Sequence, residues 1–211
     1  MKIKDFKQHT ITRSSPKHED EYRNYKNQLA NDFCNRCAYC NLHDKSITTY
    51  FEVDHFVPKK AFEDTRPELL TDYRNLVYSC KKCNVAKSGK FEGDLTEENP
   101  TNTLFYDPVE VDYNDIFYRN ELGAIASDDA KGKQMIELLK LYRPVHILGW
   151  LREEINSIAD KLQLALNNET DTKRKELLQD ALNKMNSQYR KFDNLFTATY
   201  NDNSFKIQNN N

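Results

Sequence analysis

Cys34-Asn35-Arg36-Cys37-Ala38-Tyr39-Cys40 and, further along, Cys80-Lys81-Lys82-Cys83-Asn84-Val85-Ala86-Lys87 together hold all five cysteines of the chain, and they decide how it is read. A two-residue spacer lets two thiolates converge on one ion from a tight turn. Two such turns complete a tetrahedral four-sulfur shell with metal–sulfur bonds of about 2.3 Å. One pair alone could be redox-active; two pairs point to a closed structural zinc site. The second pair is Cys80 with Cys83. The first has two solutions, Cys34 with Cys37 or Cys37 with Cys40. An odd thiol count in a chain without an export signal argues against a disulfide framework.

The chain between the knuckles holds more than a plain zinc ribbon needs. Thr48 to Val53 is β-branched and aromatic and predicts a strand running into Asp54-His55. A polar loop follows to Tyr73, and Asn75-Leu76-Val77-Tyr78-Ser79 predicts a second short strand. Cys80 to Lys90 predicts a short helix with Asn84 and Lys87 on adjacent turns and Gly89 near its end. The zinc would clamp the two ends of this unit together.

The ordered series Cys37-x2-Cys40, Asp54-His55, Asn75, Cys80-x2-Cys83-Asn84-x2-Lys87 resembles the HNH (ββα-metal) nuclease motif with zinc-bound ends, over residues 34–90. The run Cys37-Ala38-Tyr39-Cys40 resembles that motif's first knuckle. The resemblance therefore selects Cys37, Cys40, Cys80 and Cys83 as zinc ligands, with Cys34 a packed thiol on the preceding helix. The motif commonly ends in His; here it ends in Asn84, a variant also found in active members.

Residue chemistry fits that motif. Phosphodiester hydrolysis needs a base for the water, a Lewis acid for the phosphate, and fixed geometry. His55 is the candidate general base, because imidazole takes a proton near neutral pH. Asp54 and the amide oxygen of Asn84 are hard donors suited to one Mg²⁺ or Mn²⁺ that keeps most of its waters. The resemblance gives Asn75 the task of orienting the His55 ring, and Lys87 is a candidate phosphate contact.

Composition bounds the remainder. With 211 residues, 38% hydrophobic and 30% charged, the chain suits one compact domain with an appendage or two small domains. Its 12 Tyr and 11 Phe supply a core, while only five Gly and six Pro favour helix. The 31 Lys+Arg against 33 Asp+Glu leave a net charge of −2, too little for binding nucleic acid by bulk electrostatics. Any polyanion site must be local or borrow charge from a partner. Lys59, Lys60, Lys81, Lys82 and Lys90 form the candidate backbone-contacting patch, beside Arg74 and Lys87. No stretch approaches the ~18 apolar residues of a membrane span, and Met1 to Thr10 lacks a secretory apolar core, so a cytoplasmic protein is expected.

The expected organisation is α+β and helix-rich. It comprises an N-terminal segment and helix (1–33), the ββα-metal core (34–91), a linker and small β element (92–127), a C-terminal helical region (128–198) and a polar tail (199–211). Residues 18–33 predict a charged amphipathic helix feeding the first knuckle, and Asp129 to Leu141 another helix. Leu148, Leu151, Ile155, Ile158, Leu162 and Ala165, then Leu178, Leu182, Met185, Tyr189, Phe192 and Phe196, recur at steps of three and four. They predict an antiparallel helical hairpin whose seam packs on itself and the core, or else receives a partner. This layout is similar to the HNH subunits of Septu-type bacterial defence systems, which work beside an ABC/SMC-type ATPase. The resemblance implies a DNA-cleaving subunit with that partner; a zinc-stabilised binding or scaffold module without activity is the alternative.

Overall fold

The computed structural model describes residues 4–47 and 50–201. Thr48 and Thr49 of the expected first strand, and the tail from residue 202, lie outside them. The chain divides into two compact units, Met1–Tyr142 and Arg143–Asn211. The fold is helix-rich α+β.

The centre of the first unit is the antiparallel hairpin of β2 (Phe51–His55) and β3 (Leu76–Cys80), preceded in the chain by the two-residue strand β1 (Lys4–Asp5) and helix α1 (Lys26–Asp32). Strand β2 carries on through Asp54 and His55, and its register pairs Phe51 with Cys80 and His55 with Leu76. All of β3 is buried, consistent with its near-continuous apolar run. Helix α3 (Lys81–Lys87) follows without a loop. It ends at Ser88, which takes φ 50°, rather than at Gly89. The β-branched, aromatic and apolar residues of the hairpin, with Leu29, Phe33 and Tyr39, contribute to the core of this unit.

The expected helix over 18–33 is shorter. A 3-10 turn, Tyr22–Tyr25, leads into α1, while the acidic run before it stays non-helical, with no apolar periodicity to bury. The segment ahead of α1 is nevertheless tied down. Arg13 Nη1 donates to the carbonyls of Tyr73 (2.6 Å) and Leu76 (2.9 Å). Asp32 accepts from Ser14 N (2.8 Å) and Tyr73 Oη (2.6 Å).

Between β2 and β3 the loop has its own small core, which the polar reading of that segment passed over. Val57, Phe62 and Leu69 pack there with Ala61, Leu70, Phe91 and Leu95 around α2 (Lys59–Phe62). Residues 92–103 lie within the same unit. Asn102 is wholly buried and donates to the carbonyls of Phe56 (3.3 Å) and Lys90 (2.8 Å). Arg66 reaches the carbonyls of Leu95 (2.6 Å) and Glu97 (2.9 Å).

The expected small β element is present and larger. After α4 (Tyr113–Ile116), β4 (Tyr118–Arg119) pairs with β5 (Ile125–Ala126) across the turn, and β1 adds to the other side of β4. Two residues were too few for β1 to show a period. Helix α5 (Ala130–Leu138) starts at Asp129, whose carboxylate accepts from Gly132 N. A Cβ on Gly132 would lie 2.2 Å from Ser127 Oγ, so only glycine permits this approach.

The second unit is a helical hairpin of α6 (Pro144–Asn168) and α7 (Thr172–Asn201). Pro144 occupies the first helical position, where its missing N–H costs nothing. Along α7 the apolar stripe runs as read, with Leu182 and Phe196 buried. Along α6 it shifts by one residue: Ile158 is exposed and Ala159 buried, because the 4-3-4 step through Ile155, Ala159, Leu162 and Leu166 keeps one helical face. Arg152 bridges the helices, paired with Asp193 and lying over the Phe196 ring. No described helix is long and apolar enough to cross a membrane.

Candidate active site and metal centre

The β2–β3 hairpin presents two sites, one at each end. At the Phe51–Cys80 end the Sγ atoms of Cys37, Cys40, Cys80 and Cys83 all lie within 4.8 Å of one another, and all four residues are buried. Cys37 and Cys40 come from the turn after α1, Cys80 ends β3, and Cys83 sits on the first turn of α3. A tetrahedron of about 2.3 Å bonds has sulfur–sulfur edges of about 3.8 Å. Cys40 and Cys80 are separated by 3.8 Å.

Electrostatics asks for a cation there. Burial raises the Cys40 thiol, and neighbouring sulfurs and burial together raise Cys83. Burial would raise Cys37 as well, but donation from the other three thiols outweighs it and leaves Cys37 well below the ordinary range. Several thiolates crowded in a dry site would repel one another, and a divalent ion offsets that repulsion. Cys34 takes no part. It is exposed, at φ 53° just past α1, not packed on the helix, because the chain turns sharply there through Cys34 and Asn35.

At the opposite end of the hairpin stand Asp54 and His55, 6% and 8% exposed. The Nε2–H of His55 donates to the carbonyl of Leu70 at 2.9 Å, since a carbonyl only accepts. That bond fixes the tautomer and leaves Nδ1 as the free acceptor. The ring lies between Tyr22, edge-on at 4.7 Å, and Phe62 at 5.6 Å. Burial lowers its pKa from the ordinary 6.5, against the weaker upward pull of Leu70 O and Asp54, so the ring is neutral at pH 7.

Asp54 Oδ2 accepts from Tyr39 Oη at 2.7 Å, and Oδ1 from Lys87 Nζ at 3.1 Å. Burial raises the Asp54 carboxyl, with Lys87 and Tyr39 opposing it. Lys87 is wholly buried and also donates to His55 O at 2.6 Å. Its ammonium therefore braces the Asp54–His55 peptide instead of facing solvent.

Asn75 does not bond the imidazole. It accepts from Val57 N (2.8 Å) and donates to the carbonyls of Leu69 (3.2 Å) and Val57 (3.3 Å). It thereby holds the loop whose next carbonyl, Leu70, holds His55. Asn84, on the same face of α3 as Lys87, donates from Nδ2 to Glu52 Oε2 at 2.6 Å.

The basic patch is thinner than its sequence. Lys59, Lys60 and Lys81 are exposed and Lys82 partly so. Lys90 donates to Ala86 O at 2.6 Å, and Arg74 is paired with Asp72. Tyr22, Tyr39, Glu52, Phe62 and Leu70 O are site components that the sequence reading missed. Only Glu52 had a signal, because the two-residue period of β2 puts it on the face of Asp54.

Residues 37–90 match the family model described as HNH endonuclease, bounded by the first knuckle and the residues just past α3. This segment carries the pattern of an HNH endonuclease domain. The chain is also similar to the Septu protein PtuB of Bacillus thuringiensis, 33% identical over 107 residues that cover 51% of this chain and 37% of that one. A second Septu protein PtuB, from Bacillus mycoides, is 27% identical over 159 residues, 66% of this chain and 52% of that one. The chain thus spans about half the length of these relatives or less. No solved structure matches it. The HNH domain holds both ends of the hairpin, whereas Tyr22 beside His55 comes from outside it.

Proposed function

We propose that this protein is a metal-dependent HNH endonuclease that hydrolyses phosphodiester bonds, with DNA as substrate, as the nuclease subunit of a Septu-type bacterial defence system beside an ABC/SMC-type ATPase. The observation that carries the reading is the hold on His55: a ring anchored through Nε2 on the Leu70 carbonyl, with Nδ1 left to accept a proton and burial lowering its pKa.

In this reading His55 Nδ1 takes the proton of the attacking water, whose oxygen bonds to phosphorus as the bond to the leaving ester oxygen breaks and that oxygen takes up a proton from solvent. Asp54 and the Asn84 oxygen hold one Mg²⁺ or Mn²⁺, which supplies Lewis acidity when bound. Their oxygen-donor chemistry fits a hard cation. Lys87 keeps Asp54 charged and aligned through its buried ammonium. Lys59, Lys60 and Lys81 contact the backbone without reading sequence. Cys37, Cys40, Cys80 and Cys83 hold one structural Zn²⁺ that contributes to folding. The likeness to the two Septu proteins PtuB supports the defence setting.

The test is nicking of supercoiled plasmid with Mg²⁺ or Mn²⁺ by wild type and His55→Ala, each alone and with the ATPase encoded alongside. His55→Ala should cut about 10²–10⁴-fold more slowly while melting like wild type. Equal rates would discard His55 as base. No cutting under any of these conditions would leave a binding or scaffold module.

A further inference from the structure

Two polar rungs cross from β2 to α3. Glu52 and Asp54 alternate onto one face of the strand, about 6.6 Å apart. Asn84 and Lys87 are three residues apart on the helix, where side chains share a face. One rung is Asn84 Nδ2 to Glu52 Oε2 at 2.6 Å, and the other is Lys87 Nζ to Asp54 Oδ1 at 3.1 Å.

The first rung solves a problem that asparagine brings with it. The two ends of a carboxamide have nearly the same shape, but only the oxygen end can bind a cation; the NH₂ end repels it. A carboxylate accepts and does not donate, so the amide facing Glu52 must present NH₂ to it and turn Oδ1 away. We infer that Glu52 is a positioning residue that locks the Asn84 amide with its oxygen available to the catalytic cation. This rests on the reading of Asn84 as a ligand. It assigns Glu52 no direct contact with metal or substrate.

The consequences separate Glu52 as an orienter from Glu52 as a ligand. Without an acceptor at 52 the amide is free to flip, and partners of this kind are worth about 10-fold or more in metal affinity. Glutamine at 52 can still accept from Asn84 and so keeps most of the effect. Aspartate at 84 has two equivalent oxygens and needs no orienting.

The experiment measures Mn²⁺ affinity of the zinc-loaded full chain by electron paramagnetic resonance, with zinc content and melting as controls on folding. Glu52→Ala should bind Mn²⁺ about 10-fold more weakly. Glu52→Gln should stay within about threefold of wild type, and Glu52→Ala added to Asn84→Asp should cost nothing further. Wild-type affinity in Glu52→Ala would overturn the inference. So would Glu52→Gln as weak as Glu52→Ala, with the loss persisting beside Asn84→Asp, since that pattern marks a direct ligand. Wild-type affinity in Asn84→Ala would instead sink the ligand reading of Asn84 itself.

Discussion

The two ends of the β2–β3 hairpin both draw polar groups out of water, yet they use them differently. At the Cys80 end every donor is a thiol and all four point at one another, so an ion bound there would have no open position. Toward the His55 end the polar groups are an imidazole, a carboxylate and an amide: the ring and the amide are each tied at one end only, while both oxygens of Asp54 are hydrogen-bonded, to Tyr39 and to Lys87. Uniform convergent donors make a clamp. Mixed groups, individually braced, are what a site open to a substrate atom would need. Tyr39 joins the two, because it lies between two clamp cysteines and its hydroxyl holds Asp54.

Breaking the clamp should have the largest effect. Structural zinc in small domains contributes apparent free energies of about 10–16 kcal/mol. Cys80→Ser should therefore lose bound zinc and the cooperative melting transition together, read by elemental analysis and circular dichroism. Exposed Cys34, by contrast, should tolerate serine with zinc unchanged at one equivalent per chain. If zinc disappears in the Cys34 variant and survives in Cys80→Ser, the clamp has been assigned to the wrong thiols.

Bracing at the other end should matter less, but still measurably. Lys87→Met leaves Asp54 buried without its ammonium, and breaking a buried pair in this way costs about 3–5 kcal/mol. Urea unfolding of the zinc-loaded protein reads it. Adding Asp54→Asn should restore most of that stability, though not cleavage. A loss below about 1 kcal/mol would show that water, not Lys87, satisfies Asp54.

The sequence showed the two ends unequally, and the reason is physical. Thiol ligands need a fixed two-residue spacer, so Cys37, Cys40, Cys80 and Cys83 could be read from spacing once the first knuckle was chosen. Asp54, His55 and Asn84 were legible as an ordered series. What they bond to was not. Leu70 offers a backbone carbonyl, which no residue type announces. Lys87 reads as one more cation in a basic run, and only its depth beneath β2 makes it a brace. Tyr39 reads as a spacer between ligands. The helical hairpin was legible because burial repeats with a fixed period, and the one-residue slip along α6 came from following large side chains instead of helical phase. Strand β1 was too short to carry any pattern.

The smallest effect concerns the ring of His55 and separates stability from rate. Burial between Tyr22 and Phe62 holds its folded pKa below 6.5, while the unfolded chain keeps a value near 6.5. The folded state therefore binds fewer protons than the unfolded state between those two values. Its stability should be intact above about pH 6.5 and fall by up to about 1.4 kcal/mol per pH unit through that window. The ring stays neutral through the same window, so its share of the rate should stay level there and drop tenfold per unit below the folded value, provided the buried Asp54 carboxyl stays ionised. Single-turnover nicking and urea midpoints over one pH series test the separation. Tyr22→Ala, by letting water reach the ring, should move the acid limb of the rate upward toward the ordinary histidine value. A limb already at or above that value in wild type would mean that the ring is not desolvated, and that the aromatic wall from outside the HNH domain has no part in setting the base.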